Sequence, residues 1–222
     1  MITRRGFLGL AAAIPIATML PWDPANAAGL TPDVVALSPH PDDETLAMGA
    51  LLACLASLGL SVHVVPVTAG EASGVRAELG WDVPTFQAAR LAEQQHACTA
   101  LGAVQDGCLY APDGGVTDAI AQQAVAQVRA QYPGALIVTT SPDDTHPDHA
   151  ALGRAAATDA LSVLCMSMAF RVWPRNVNTL TDPTGRLIVA ARAYTTGAAI
   201  GARSVPSQWA NLTKHPASHY HH

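Results

Sequence analysis

Apolar residues along this chain fall into two kinds of run. Val34 to Leu37, Leu60 to Val67 and Ala135 to Thr140 are short and continuous, without alternation, and each is followed by Pro, Gly or Ser within a few residues. Runs of that kind suit strands buried on both faces of a parallel sheet. Between them lie helical stretches at about Thr45 to Leu58, Pro84 to Leu101, Asp118 to Gln131 and about Ala150 to Leu164. Pro84 stands at the head of its segment, where a missing N–H costs nothing. Residues 70–84, rich in Gly, Glu and Pro, read as a loop, and Cys108 to Tyr110 as a marginal strand before the turn Pro112-Asp113-Gly114-Gly115. Ala169 to Trp173 and Leu187 to Ala191 are strand candidates, whereas residues 204–222 carry no readable pattern. The alternation predicts an α/β fold, a Rossmann-like three-layer sandwich with a mostly parallel sheet.

Composition narrows the class. The chain has 222 residues, 50% hydrophobic and only 13% charged, which excludes disorder and suits one domain. A domain of that length buries about 70% of its unfolded surface and needs no disulfide scaffold. Twelve basic residues stand against 17 acidic ones, net charge -5, and the basic residues form no run. No nucleic-acid face is expected. Cys54, Cys98, Cys108 and Cys165 show no CxxC spacing, so zinc ribbons and thioredoxin motifs are out.

The first 27 residues read as an address. Arg4-Arg5 precedes Phe7-Leu8, an apolar run from Gly9 to Leu20 follows, and Ala25-Asn26-Ala27 ends the segment. A charged head, an apolar stretch too short to span a bilayer and an Ala-x-Ala end make a secretory signal, and the paired arginines give it twin-arginine character. Cleavage after Ala27 predicts a mature single domain over residues 28–222, outside the cytoplasm and without stable membrane insertion. The alternative is an uncleaved membrane anchor.

Two polar clusters each follow a predicted strand, where open parallel sheets place their ligands. They are His40-Pro41-Asp42-Asp43-Glu44 and His146-Pro147-Asp148-His149. Imidazole with carboxylate and no nearby cysteine is a ligand set for Zn²⁺ or another divalent ion. Adjacent Asp42 and Asp43 point different ways, so one can bind metal while the other faces water. Taken alone, Asp-Asp-Glu at a helix start is also ordinary capping.

Pro39-His40-Pro41-Asp42-Asp43-Glu44, with His146-Pro147-Asp148-His149 about a hundred residues on, resembles the PIG-L/LmbE-like zinc-dependent N-deacetylase family. Val67-Thr68-Ala69-Gly70-Glu71, Arg90-Leu91-Ala92-Glu93 and Leu101-Gly102 look like that family's intervening elements, so the likeness runs over residues 33–160. The family removes acetyl groups from N-acetylglucosamine units of larger molecules. The resemblance implies one zinc per chain on His40, Asp43 and His149, with a position left for water. It puts Asp42 in the place of the general base and His146 in that of the residue supporting the oxyanion and protonating the amine. Asp148 joins this catalytic group as a candidate supporting partner. Glu71, Arg90 and Asp113 fall near sugar-contacting positions. The family's closing Lys-containing helix and His- or Tyr-x-Ser-Gln element are not matched here: Ser207-Gln208 follows Val205-Pro206.

The implied activity is that of a metal-dependent amidohydrolase acting on a small amino-sugar substrate. An amide nitrogen is a poor leaving group, so water must be acidified, the carbonyl polarised and a proton delivered to nitrogen. Two other readings stand beside it. Asp/His clusters also build two-metal phosphoesterases, although three ligands and a base are thin for two ions. A non-catalytic metal or sugar binding protein would need no Asp42. No Gly-x-Ser-x-Gly supports a serine hydrolase. Arg90 and Glu93, three apart on a helix, suit a surface ion pair, His63 a core histidine and His96 a helix surface. His215, His219, His221 and His222 suggest a frayed tail. Trp81, Trp173 and Trp209 are candidates for a sugar site or for the core, and Cys98 and Cys108 for an exported disulfide.

Overall fold

A computed structural model describes residues 32–159, 162–166 and 178–221. Seven strands form one sheet in the order β3-β2-β1-β4-β5-β7-β6. These are β1 (Val34–Ser38), β2 (Val62–Pro66), β3 (Val104–Gln105), β4 (Leu136–Thr140), β5 (Ser162–Met166), β6 (Asn178–Thr181) and β7 (Ala217–His221). The first five run parallel, and β7 is antiparallel to both β5 and β6. The sheet is therefore parallel in its centre and mixed at one edge.

All five residues of β1 are buried, and their alternation divides the core in two. Val34 and Ala36 face one apolar cluster, with Leu52, Leu101, Leu187 and Trp209; Val35 and Leu37 face the other, with Ile120, Val128 and Leu152. Helices α2 (Gly49–Ser57), α4 (Val83–Leu101) and α7 (Arg186–Thr195) cover the first face, and α5 (Asp118–Gln131) and α6 (Pro147–Ala156) the second. That is the three-layer α/β sandwich the uninterrupted apolar strands require.

Strand order reverses at β1, whose neighbours are β2 on one side and β4 on the other. The loops leaving β1 and β4 part there, which opens a crevice at the carboxyl ends of the strands. Both polar clusters lie on these loops. Gly153 of α6 makes the close approach possible: a Cβ there would run into the backbone of Ser141 and Pro142.

Several elements depart from the sequence reading. The segment 45–58 is two helices, α1 (Asp43–Leu46) and α2, because the chain turns at Ala47-Met48. The helix starting at His146 stops at Ala156, and Ser162 to Met166 is strand β5 instead of its continuation. Short apolar runs have the same periodicity in either state. Residues 70–84 contain a short helix, α3 (Gly74–Leu79), and it is Val104–Gln105, not Cys108 to Tyr110, that pairs with β2. Leu187 to Ala191 belongs to helix α7, whose buried Leu187, Ala190, Ala191 and Tyr194 follow helical spacing. Residues 204–222 hold α8 (Gly201–Ser204) in part, α9 (Pro206–Lys214) and β7, so the histidine-rich tail is a sheet strand rather than a frayed end. Ser218 in β7 accepts hydrogen bonds from Ala50 N (3.0 Å) and Leu51 N (3.4 Å), capping α2. Ala169 to Trp173, the signal segment and His222 lie outside the described residues. Among the described residues, no helix is long and apolar enough to cross a membrane.

Candidate active site

The first site loop leaves β1 at Ser38, whose hydroxyl donates to His40 O at 2.5 Å, while Thr68 Oγ1 donates to Pro39 O at 3.0 Å. These bonds anchor the loop to the end of the sheet. Asp42 then adopts φ 128°, ψ -25°, a conformation L-residues rarely occupy, and α1 begins at Asp43. The second loop leaves β4, and His146 caps α6: its Nδ1 accepts from Asp148 N at 3.2 Å, and Pro147 fills the first helical position. His146 N donates in turn to Asp144 Oδ1 at 2.9 Å.

Between the loops, three atoms from residues 109 positions apart at the extremes form a nearly equilateral triangle. His40 Nδ1, Asp43 Oδ2 and His149 Nε2 are each 3.1 Å from the other two. An ion held tetrahedrally by such ligands sets them about 3.3 Å apart, so the donor set fits a divalent ion with little adjustment. The outer nitrogens are also occupied. His149 Nδ1 is 3.0 Å from Asp144 Oδ2, and His40 Nε2 is 3.1 Å from both Asp148 Oδ2 and Asp113 Oδ1. Carboxylates on the outer nitrogens turn the inner ones toward a metal and raise their basicity. His146 brings a third imidazole nitrogen into the same cluster, within 4.8 Å of those of His40 and His149.

Electrostatics follow this arrangement. Burial alone would lower His40 and His149, but the surrounding carboxylates win, raising His40 well above its usual value and His149 to about 9. Burial would likewise raise Asp43, yet His149 and His40 hold its carboxyl far below the usual range. A metal would replace the protons that these imidazoles otherwise hold. Burial raises Asp42, partly offset by the Arg90 guanidinium. His146 is lowered, first by burial and then by the neighbouring histidines, so its imidazole is neutral near pH 7. With Nδ1 accepting a backbone N–H, that neutral ring carries its proton on Nε2.

A cavity of about 510 Å³ opens over the triangle, lined among others by Asp42, Arg90, Asp113, His146, Ser204 and Gln208. Asp42 and His146 therefore face the space a substrate would fill. Arg90 is buried and lines the cavity, donating from Nη2 to Asp42 Oδ2 at 2.9 Å and to Pro41 O, while Nε and Nη1 have no protein partner. It does not pair with Glu93, which accepts from Ile200 N and Gly201 N at the start of α8. Asp113 lines the cavity and also bonds Ala72 N at 2.7 Å.

Two sequence assignments change. Asp148 does not serve His146 through its carboxylate: from the first turn of α6 that group reaches His40 Nε2, Gly114 N (2.8 Å) and Val116 N (3.0 Å), is almost wholly buried and does not line the cavity. Glu71 is not among the cavity-lining residues; its Oε1 accepts from Asp113 N at 3.0 Å, so it supports Asp113 rather than facing a sugar. Asp144, missed by the sequence reading, stands two residues before His146 in the same loop. Gln208, part of the unmatched closing element, does reach the cavity. His63 is a core histidine bonded to Asp106 at 2.9 Å, and His96 is exposed. Neither Trp81 nor Trp209 lines the cavity; Trp209 is buried against Tyr194. Trp173 lies outside the described residues, and all four cysteines are free thiols.

Solved structures share this fold. The conserved protein TT1542 from Thermus thermophilus is 23% identical, with TM-score 0.62 over 82% of this chain and 87% of its own. The N,N'-diacetylchitobiose deacetylase from Pyrococcus horikoshii is 16% identical, with TM-score 0.62 over 96% of this chain and 86% of its own. The 4-carboxy-2-hydroxymuconate hydratase GalB from Pseudomonas putida KT2440 is 18% identical, with TM-score 0.64 over 82% of each chain. One fold thus carries a deacetylase and a hydratase, and chemistry must be argued from the site. No curated protein matches the chain. The family described as "PIG-L: GlcNAc-PI de-N-acetylase" matches residues 35–160, more than half of the chain and both site loops. The chain belongs to the PIG-L family.

Proposed function

We propose that this protein is an exported, zinc-dependent hydrolase that removes the N-acetyl group from an N-acetylglucosamine-type amino sugar or its conjugate. The observation that carries the reading is the 3.1 Å triangle of His40 Nδ1, Asp43 Oδ2 and His149 Nε2, with Asp42 and His146 facing the cavity above it. Two imidazoles, one carboxylate and no thiolate suit zinc among the first-row ions. When bound, the ion supplies Lewis acidity for the acetamido carbonyl and acidifies water at that position.

The protein's own residues perform the rest. Asp42 accepts the proton of the attacking water, and Arg90 holds that carboxylate in place through Nη2. His146 presents its Nε2–H to the oxygen on which negative charge develops, then provides a proton for the departing amine. Asp148 and Asp144 hold the rings of His40 and His149. Arg90, Asp113 and Gln208 offer polar contacts to hydroxyl groups of a sugar. The chain's own residues favour this over a two-metal phosphoesterase: His40 Nε2 points away from the triangle onto two carboxylates that also hold backbone N–H groups.

The test is release of acetate or primary amine from a panel of N-acetylglucosamine compounds, with and without chelator, together with metal analysis. Release that stops with chelator, at one ion per chain, supports the proposal. Two ions with phosphoester cleavage, or metal and sugar binding without turnover, would replace it by one of the alternatives.

A further inference from the structure

Asp42 sits at φ 128° although it has a side chain, and such strain persists only where the surroundings over-determine it. Two buried groups hold it. Arg90 takes its carboxylate, and Glu44 Oε2 accepts its backbone N–H at 3.0 Å. Glu44 is wholly buried and does not line the cavity, so it touches no substrate. Both of its oxygens are engaged: Oε1 by Thr45 Oγ1 (2.5 Å) and Tyr194 OH (2.9 Å), Oε2 also by Gln94 Nε2 (2.9 Å). Gln94 is itself fixed by Gln105 at 2.8 Å.

Tyr194 comes from α7, beyond the residues the family description covers. It is fully buried, its ring stacked on Trp209 at 5.0 Å between centroids, and the Trp209 indole N–H bonds Gly201 O at 2.9 Å. The hydroxyl thus arrives at Glu44 from a rigid support on the opposite side of the loop.

We propose that Glu44 and Tyr194 are positioning residues: Tyr194 holds the Glu44 carboxylate, and Glu44 holds the Asp42 peptide in the strained turn that aims the Asp42 carboxylate into the cavity. The inference rests on the reading of Asp42 as general base. Neither residue contacts the metal position, so loss of the clamp misplaces the base and leaves the ion bound. Misplacement of a reacting group by about 1 Å costs on the order of 10²-fold in rate.

The experiment compares metal-loaded wild type with Tyr194→Phe, Glu44→Gln and Glu44→Ala on an N-acetylglucosamine compound that the wild type hydrolyses. Tyr194→Phe is expected to lower kcat by about ten-fold, and Glu44→Ala by up to about a hundred-fold, with KM and metal content unchanged. Glu44→Gln keeps an acceptor for Asp42 N and should stay within about three-fold of wild type. Added to Asp42→Asn, Tyr194→Phe should cost nothing further, because the group it positions is already disabled. An equal loss in that background, or a loss confined to KM, metal content or thermal midpoint, overturns the proposal. Should Glu44→Ala fail to fold, Tyr194→Phe still decides. Crystal structures separate this idea from the activity itself: Asp42 φ should stay near its wild-type value in Glu44→Gln and relax in Tyr194→Phe, whatever the substrate. An unrelaxed Asp42 in Tyr194→Phe also overturns the proposal.

Discussion

Asp144 Oδ2 lies 3.0 Å from His149 Nδ1, which leaves His149 Nε2 directed at Asp43. Asp144 therefore orients a ligand without touching the ion. Asp144→Ala should weaken metal binding by about 10–100-fold, the usual effect of losing such a partner. Asp144→Asn retains an oxygen acceptor and should lose less. Competition against a chelator of known affinity reads the difference, and equal affinities for wild type and Asp144→Ala would remove the role.

The triangle itself makes a stricter statement. His40→Ala, Asp43→Ala and His149→Ala should each lose the ion on dialysis, because each removes one of three protein ligands. Metal content unaltered in two of the three would refute the ligand set.

Asp42→Asn should keep the ion yet lose most of the rate, since an amide cannot accept the proton of water. His146→Ala should also keep the ion, with its loss falling on kcat. Removal of an acid or base group typically costs about 10²–10⁴-fold. An Asp42→Asn protein retaining more than about a tenth of wild-type kcat would exclude Asp42 as the base.

The cysteines offer a test that needs no substrate. Burial pushes the Cys108 thiol up to about 12 and raises Cys98 and Cys165 as well. Cys54 is only partly buried, and burial and Asp182 raise it as well. The thiolate is the reactive form, so raised pKa values and burial both protect. At pH 8 a thiol reagent should label Cys54 alone in the native protein, and all four cysteines after denaturation without reductant. Two labelled cysteines after denaturation would reveal a disulfide.

Export links the leader to the metal. Twin-arginine signals carry proteins that have already folded, and folding in the cytoplasm lets zinc bind where copper does not outcompete it. Arg4→Lys with Arg5→Lys should retain active, metal-bound protein inside the cell, and the exported chain should begin at Ala28. Efficient secretion of the double variant, or wild-type protein held in the membrane with its first 27 residues intact, would contradict this.

Much of the architecture was open to reading before any coordinates. Val34 to Leu37 and Ala135 to Thr140 are apolar at every or nearly every position, a pattern that only burial on both faces of a sheet explains, and both are central strands. Asp118 to Gln131 carries its cap, Thr117, and its apolar stripe in the local sequence, and the helix has those bounds. The carboxyl half was less legible. Leu187 to Ala191 and Ser162 to Met166 are short apolar runs whose state depends on which surface receives them.

The same division holds at the site. Local sequence determined that His40, Asp42, Asp43, His146 and His149 stand on two loops at strand ends, because Pro and helix-start chemistry act over a few residues. Which nitrogen of His40 faces Asp43, the assignment of Asp148 to His40 and not to His146, the turning of Glu71 toward Asp113, and the reach of Tyr194 to Glu44 across 150 residues were decided by tertiary structure alone. These are directed hydrogen bonds between segments distant in sequence, and their partners exist only once β1 and β4 lie side by side and the helices close over them.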